Sequence, residues 1–161
     1  MRDLRVGQGF DAHRFLDGRE LKLCGLLIPG EAGLEGFSDA DVALHAVTDA
    51  ILGALARGDL GEHFPPSDPR WKDADSAVFV ARALEMASAD GYRLVNCDLT
   101  LIGQRPHIAP IRDRLRASLA EILGIEQCAV SVKATTTDGL GFTGRGEGLA
   151  ALAVVLMGDG A

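Results

Sequence analysis

The chain has 161 residues, 47% hydrophobic and 24% charged, with only 5% aromatic residues and a formal net charge of −7. This is the composition of an ordinary globular protein with an aliphatic core, predicted as a single domain over residues 1–161, and its acidic balance excludes non-specific nucleic-acid binding. No apolar run approaches 18 residues and no signal-peptide segment opens the chain, so a cytoplasmic protein without membrane contact is expected.

In chain order, Leu4 to Phe10 and Glu20 to Ile28 carry strand-like runs with turn residues between them. Ser38-Asp39-Ala40-Asp41 has the form of a capping box, with Ser38 as N-cap. Val42, Ala46, Ile51, Leu52 and Leu55 then follow at helical intervals. Residues 58–75 are rich in Pro, Asp and Gly and predict a loop. Asp75-Ser76 opens a second helix, which Gly91 ends, and Tyr92 to Ile102 reads as a strand. Pro110 to Leu123 is a third amphipathic helix stopped by Gly124, and Cys128 to Ala134 is a strand. A Gly-rich loop runs to Gly148, and Leu149 to Met157 is a strand apolar on both faces, predicted at the centre of a sheet. The alternation predicts a two-layer α/β domain. Cys24, Cys97 and Cys128 are odd in number and far apart, which predicts free buried thiols.

Two stretches carry chemistry. In a strand, residues two apart share a face, so Asp11 and His13 can converge on one ion. His45, on the first predicted helix, can add a third ligand, and three N/O ligands with one position open is the arrangement of catalytic zinc. By itself the spacing also arises by chance. The second stretch, Lys133 to Gly148, is dense in Gly and Thr. Gly139-x-Gly141-x-x-Gly144 matches the dinucleotide fingerprint in form only, because too few residues follow it to complete a βαβ unit. The Walker-A spacing fails as well, since Arg145-Gly146 stands where Lys-Ser/Thr is required. Such a loop either aims backbone N–H groups and Thr hydroxyls at a phosphate, with Asp138 holding a divalent cation, or is a plain turn with Asp138-Gly139 at its tip.

These stretches together resemble the 2-C-methyl-D-erythritol 2,4-cyclodiphosphate synthase family of the non-mevalonate isoprenoid pathway. The resemblance runs from Val6-Gly7-Gln8-Gly9-Phe10-Asp11-Ala12-His13 through Ser38 to His45, Gly58-Asp59-Leu60-Gly61 and Ala74-Asp75-Ser76. It ends on Lys133 to Thr137 and the long block Gly141 to Gly148, so nearly the whole chain is covered. It implies an α+β, two-layer, ferredoxin-like sandwich: a mixed four-stranded main sheet with helices on one face, assembled as a homotrimer with active sites between subunits. It implies a phosphorus–oxygen lyase that converts 4-diphosphocytidyl-2-C-methyl-D-erythritol 2-phosphate to the cyclic diphosphate and CMP. Zn²⁺ would lie on Asp11, His13 and His45, and Mg²⁺ or Mn²⁺ near Asp138, where the family more often has Glu. The erythritol phosphate would lie near Ser38, Asp59, Leu60 and Gly61, with the loop from Phe64 to Asp68 beside it. Gly103, Gln104, Arg105, Pro106, His107, Ile108 and Ala109 would line the cytidine pocket. Thr135, Thr136, Thr137 and Asp138 would face the diphosphate, with Thr136 stabilising the transferring phosphoryl group. Phe10, Phe142, Arg145 and Glu147 map near the trimer axis, where some members hold an isoprenoid diphosphate.

The main departure is Phe37, where the family usually has a His that helps stabilise the transition state. Phe can neither donate a hydrogen bond nor carry charge, which predicts a weakened enzyme; the alternative is a hydrophobic staple before the Ser38 cap. His107 stands where Lys is more usual and Pro66 where Asp is, His63 reads as a surface histidine, and Arg145 and Glu147 as a pair formed across subunits. Two other functions fit the same residues: a zinc-dependent phosphohydrolase, and an isoprenoid-diphosphate-binding trimer that has lost turnover.

Overall fold

The computed structural model describes residues 3–160. Its elements in chain order are β1 (Leu4–Leu23), β2 (Leu26–Leu34), α1 (Val42–Ala54), α2 (Leu60–His63), α3 (Ala77–Ala89), β3 (Tyr92–Ile102), α4 (Arg112–Leu123), β4 (Val130–Thr135), α5 (Gly141–Gly144) and β5 (Gly148–Asp159). Among the described residues the strands form one mixed sheet of five, ordered β2-β1-β5-β3-β4. The nearly all-apolar β5 is central, as its composition predicts, antiparallel to both β1 and β3.

Two expectations are corrected. The sheet has five strands, because β1 is one 20-residue strand that serves two partners. Leu4 to Arg14 pair with β5, and Phe15 to Leu23 pair with β2. The residues read as a turn are an irregularity within the strand: Gly18 takes φ +82°, and the register shifts between Leu16 and Glu20. The arrangement is also not ferredoxin-like. A split βαβ unit would place another strand between β3 and β4, whereas here they pair directly and in parallel.

The start of α1 differs from the capping box as well. Ala40 adopts φ +57°, which breaks helical continuity after Ser38, so Asp41 becomes the N-cap and accepts from Leu44 N–H at 3.1 Å. Helix α1 then lies almost directly on the β1 backbone. A Cβ on Gly7 would sit 1.8 Å from the Ala50 carbonyl oxygen, and one on Gly9 1.9 Å from that of Ala46. Only glycine permits this approach, and it brings the first turn of α1 beside the next two residues on the same face of β1, Asp11 and His13.

The helix-covered face holds an aliphatic core built from α1, Ala151, Ala153 and Val155 of β5, and Leu99 and Leu101 of β3. The opposite face leaves Leu4, Val6, Phe10 and Val154 exposed, with Val6 at 68%. Cys24 and Cys97 are buried free thiols, but Cys128 is exposed, contrary to expectation, because it lies in the turn leading into β4 rather than in the strand. No helix among the described residues is long and apolar enough to cross a membrane.

Candidate metal centre and the cavity beside it

Asp11, His13 and His45 meet as the Asp-x-His spacing predicts. Asp11 Oδ2 lies 2.8 Å from His13 Nε2 and 2.9 Å from His45 Nδ1, and the two nitrogens are 3.1 Å apart. No other group of three His, Cys, Asp or Glu side chains among the described residues gathers its ligand atoms this closely. An ion with bonds of about 2.0–2.1 Å can touch all three corners of so small a triangle. The donor set of two imidazoles and one carboxylate suits zinc, and the outer partners fit too. His13 Nδ1 donates to the Glu35 carbonyl at 2.6 Å, which turns the lone pair of Nε2 toward the triangle. The other nitrogen of His45 points at Ser38 and Ser76 hydroxyls, which does the same for Nδ1.

The electrostatics agree. Burial works against ionisation of Asp11, but hydrogen bonds and charge from His13 and His45 outweigh it and hold the carboxyl far below the usual carboxylate range. Burial likewise favours neutral His13, yet the bond to Asp11, with the Glu35 carbonyl behind it, pushes its pKa up. The site is thus built to hold a positive charge at its centre.

A cavity of about 210 Å³ opens beside the triangle. Of the residues expected in the site, it collects Asp11, His13, Phe37, Ser38, His45, Leu60, Gly61 and Phe64. Its far wall is an aromatic cluster that sequence reasoning missed: Phe79 packs 4.6 Å from Phe64 and 5.7 Å from Trp71, centroid to centroid. Pro66 also lines it. Phe37 is 38% exposed at the cavity and does not act as a staple, since the cap it would precede is Asp41 rather than Ser38. Ser38 is buried, its hydroxyl on His45 and on the Ala40 N–H. Asp59 caps α2, and the half-buried Asp49, whose pKa burial pushes up, accepts from Leu60 N–H at 2.7 Å and anchors that turn. Asp68 is tied to Arg70, which holds its carboxyl low.

The remaining expected residues lie elsewhere on the same end of the sheet. Gly103 to Ala109 follow β3 and Thr135 to Asp138 run out from the end of β4, joined by Gly103 N–H to the Thr135 carbonyl at 3.0 Å. Pro106 and Ile108 are buried, while Gln104, Arg105, His107 and Ala109 are exposed. The Arg105 guanidinium sits 4.3 Å above the Phe15 ring. Thr135, Thr136 and Asp138 are exposed, and Asp138 takes φ +52°. Thr137 is pinned by bonds to Leu140 and Thr143. Phe142 and Arg145 lie on or beside α5, and Arg145 pairs with Glu147 within the chain at 2.7 Å. His13 pairs across with Leu149 of β5, and Ile102 of β3 pairs with Thr135 of β4, so three strand spacings separate the His13 row from the Thr135 row. At about 4.8 Å each, this is roughly 14 Å.

Fold and site together define a class: an α/β protein with a two-histidine, one-carboxylate centre beside an aromatic cavity, and a separate Thr/Gly loop suited to phosphate. Known proteins make this specific. The model of the YgbB family matches residues 4–158, and the chain belongs to that family. It is 58% identical over 153 residues to the 2-C-methyl-D-erythritol 2,4-cyclodiphosphate synthase of Geobacillus kaustophilus, covering 95% of this chain and 97% of that relative. It is 60% identical over 151 residues to the bifunctional enzyme IspD/IspF of Caulobacter vibrioides, of which it spans 40% while 94% of this chain is covered. A solved structure of 2C-methyl-D-erythritol-2,4-cyclodiphosphate synthase in a CDP-bound form superposes with TM-score 0.88 at 40% identity, over 95% of this chain and 99% of that one. The bifunctional IspDF of Campylobacter jejuni gives TM-score 0.93 at 37% identity, over 99% of this chain and 43% of that one.

Proposed function

We infer that the chain is a 2-C-methyl-D-erythritol 2,4-cyclodiphosphate synthase, an enzyme of isoprenoid biosynthesis that closes 4-diphosphocytidyl-2-C-methyl-D-erythritol 2-phosphate into the cyclic diphosphate and releases CMP. The observation that carries this reading is the closed triangle of Asp11, His13 and His45 beside a cavity large enough for a small polyol phosphate. An oxygen of the 2-phosphate attacks the β-phosphorus. The bond from that phosphorus to the bridging oxygen breaks, and CMP departs with the electron pair. Such transfers need positioning and charge neutralisation rather than a nucleophilic side chain.

Asp11, His13 and His45 would hold zinc, and Asp138 would hold magnesium or manganese together with phosphate oxygens, a set that suits a hard ion. When bound, these ions supply Lewis acidity at phosphate oxygens and offset the diphosphate charge. Thr136 donates its hydroxyl to the transferring phosphoryl group, and backbone N–H groups of the same loop cradle the diphosphate. Gly103 to Ala109 receive the cytidine. The aromatic wall of Phe37, Phe64, Trp71 and Phe79 keeps water from competing with ring closure.

Thr136 and the metal centre are both read as serving the transferring phosphoryl group, and roughly 14 Å within one chain is too far for that. The proposed assembly is therefore a homotrimer in which the Thr/Gly loop of one subunit faces the metal centre of the next, with the exposed apolar sheet face of Leu4, Val6, Phe10 and Val154 buried at its centre. Phe10, Phe142, Arg145 and Glu147 would then gather near the axis, where an isoprenoid diphosphate could sit. The setting is the cytoplasm. A ³¹P NMR time course with the cytidine diphosphate substrate, Zn²⁺ and Mg²⁺ tests the reading. CMP appearing with two coupled cyclic-diphosphate resonances is expected. Inorganic phosphate would point instead to a phosphohydrolase, and an unchanged spectrum from zinc-loaded protein to binding without turnover.

A further inference from the structure

The two histidines of the triangle are oriented in different ways. His13 leans on a main-chain carbonyl, that of Glu35, which no side-chain substitution removes. His45 leans on side chains. Its Nε2 lies 2.9 Å from Ser76 Oγ, and Ser76 is completely buried. The Ser76 hydroxyl donates its single proton to Asp39 Oδ1, so toward His45 it can only accept. Nε2 therefore carries the ring hydrogen, which it shares with Ser38 Oγ at 3.0 Å, and Nδ1 keeps its lone pair facing Asp11 and His13. The other Asp39 oxygen accepts from the Ser76 backbone N–H at 3.2 Å and from Lys22 Nζ at 3.4 Å. Partial burial lowers the pKa of the Lys22 ammonium, but the carboxylates of Asp39 and Asp75 more than restore it. A continuous chain of donors and acceptors thus runs from His45 through Ser76 and Asp39 to a lysine that reaches solvent.

The backbone is shaped to hold this chain. Asp39 N–H donates to the Ala74 carbonyl at 3.0 Å, tying the segment before α1 to the one before α3. The next residue, Ala40, is buried with φ +57°, a conformation that is strained for a non-glycine residue and persists only when its surroundings fix it. Asp39 and Asp41, on either side of Ala40, are thereby turned to different tasks: Asp41 caps α1 and Asp39 faces Ser76.

We propose that Ser76 and Asp39 are positioning residues of the metal centre, acting through His45 to set its affinity for zinc, with Lys22 as the solvent-facing end of the relay. This rests on the reading of Asp11, His13 and His45 as a zinc site. Ser76 is fully buried and does not line the cavity, so its effect must pass through the histidine. Outer partners of metal-bound histidines are worth about 10- to 100-fold in metal affinity.

The test is the zinc dissociation constant of the full chain, measured by competition with a chromophoric chelator, beside the visible spectrum of the cobalt(II)-substituted protein. Ser76→Ala should bind zinc 10- to 100-fold more weakly and Asp39→Asn about tenfold. Ser76→Thr, which keeps the hydroxyl, should return to within about threefold of the parent, and Lys22→Met should lose about threefold. The cobalt bands should shift in Ser76→Ala while far-UV circular dichroism stays that of the parent. Ser76→Ala or Asp39→Asn binding zinc within twofold of the parent, while His13→Ala loses it, would overturn that residue's part in the relay. A parent that binds zinc no more tightly than His13→Ala would defeat the metal reading itself.

Discussion

The two chemically active regions of this chain differ in how finished they are. The candidate metal centre is complete within one chain: its three ligand atoms are within about 3 Å of one another, each histidine's outer nitrogen has a partner, and the surrounding side chains are largely buried. The loop after β4 is the opposite. Thr135, Thr136 and Asp138 are exposed, and their side-chain hydrogen bonds are only to one another. A site that must bind an ion before substrate arrives benefits from being preorganised, whereas a loop that must close on a diphosphate needs its donors free. One half is built by the fold; the other, in the proposed assembly, is completed by a neighbour and a ligand.

The largest expected effect tests the finished half. His45→Ala should abolish tight zinc binding and slow CMP release on the order of a thousandfold, since several kcal/mol of charge stabilisation disappear with the ion. Metal content by atomic emission and a CMP assay read both, and a variant that keeps full activity without zinc would break the comparison from its stronger side. Next comes Thr136→Ala, which should lower kcat by about a hundredfold while leaving zinc content at the parent level. Equal losses of zinc and rate would mean that the two regions are not separate. Phe37→His should raise kcat by about tenfold, because a donor then stands at the cavity mouth where a ring now stands. A variant no faster than the parent would remove Phe37 as the reason for any slow turnover.

The smallest effect concerns burial alone. Burial pushes the Cys97 thiol up to about 12, and the Cys24 thiol well above its ordinary value. A raised pKa keeps the neutral thiol until the pH nears it, so at pH 8 roughly one Cys97 in ten thousand is thiolate. Native protein titrated with a disulfide reagent at pH 8 should therefore modify Cys128 only, and denatured protein all three. Fast modification of a second cysteine in the native state would show that the core under α1 opens.

The same contrast decides what could be read from the sequence. Asp11 and His13 were legible because a strand has a period of two, and His45 because it falls in a helical apolar run. The central place of β5 followed from its unbroken apolar run. What escaped notice has no local period. Ser76 reads as a helix cap but makes no side-chain cap bond; its hydroxyl serves His45, 31 residues away. Trp71 and Phe79 form a cavity wall only because α3 folds over the loop before it. The Asp17–Gly18 stretch resembles a turn, yet pairing to β2 both before and after it carries β1 through with a register shift. Cross-strand partners and long-range polar contacts override local signals in each case.

The most direct measurement is complementation between two disabled chains. His45→Ala lacks the metal half and Thr136→Ala the loop half, and neither alone should turn over appreciably. Mixed, unfolded and refolded together in equal amounts, they should recover about a quarter of the parent's CMP release, because in a randomly assembled cyclic trimer one interface in four pairs an intact centre with an intact loop. No recovery from well-folded mixed trimers would contradict the account, placing both halves of each site within a single chain.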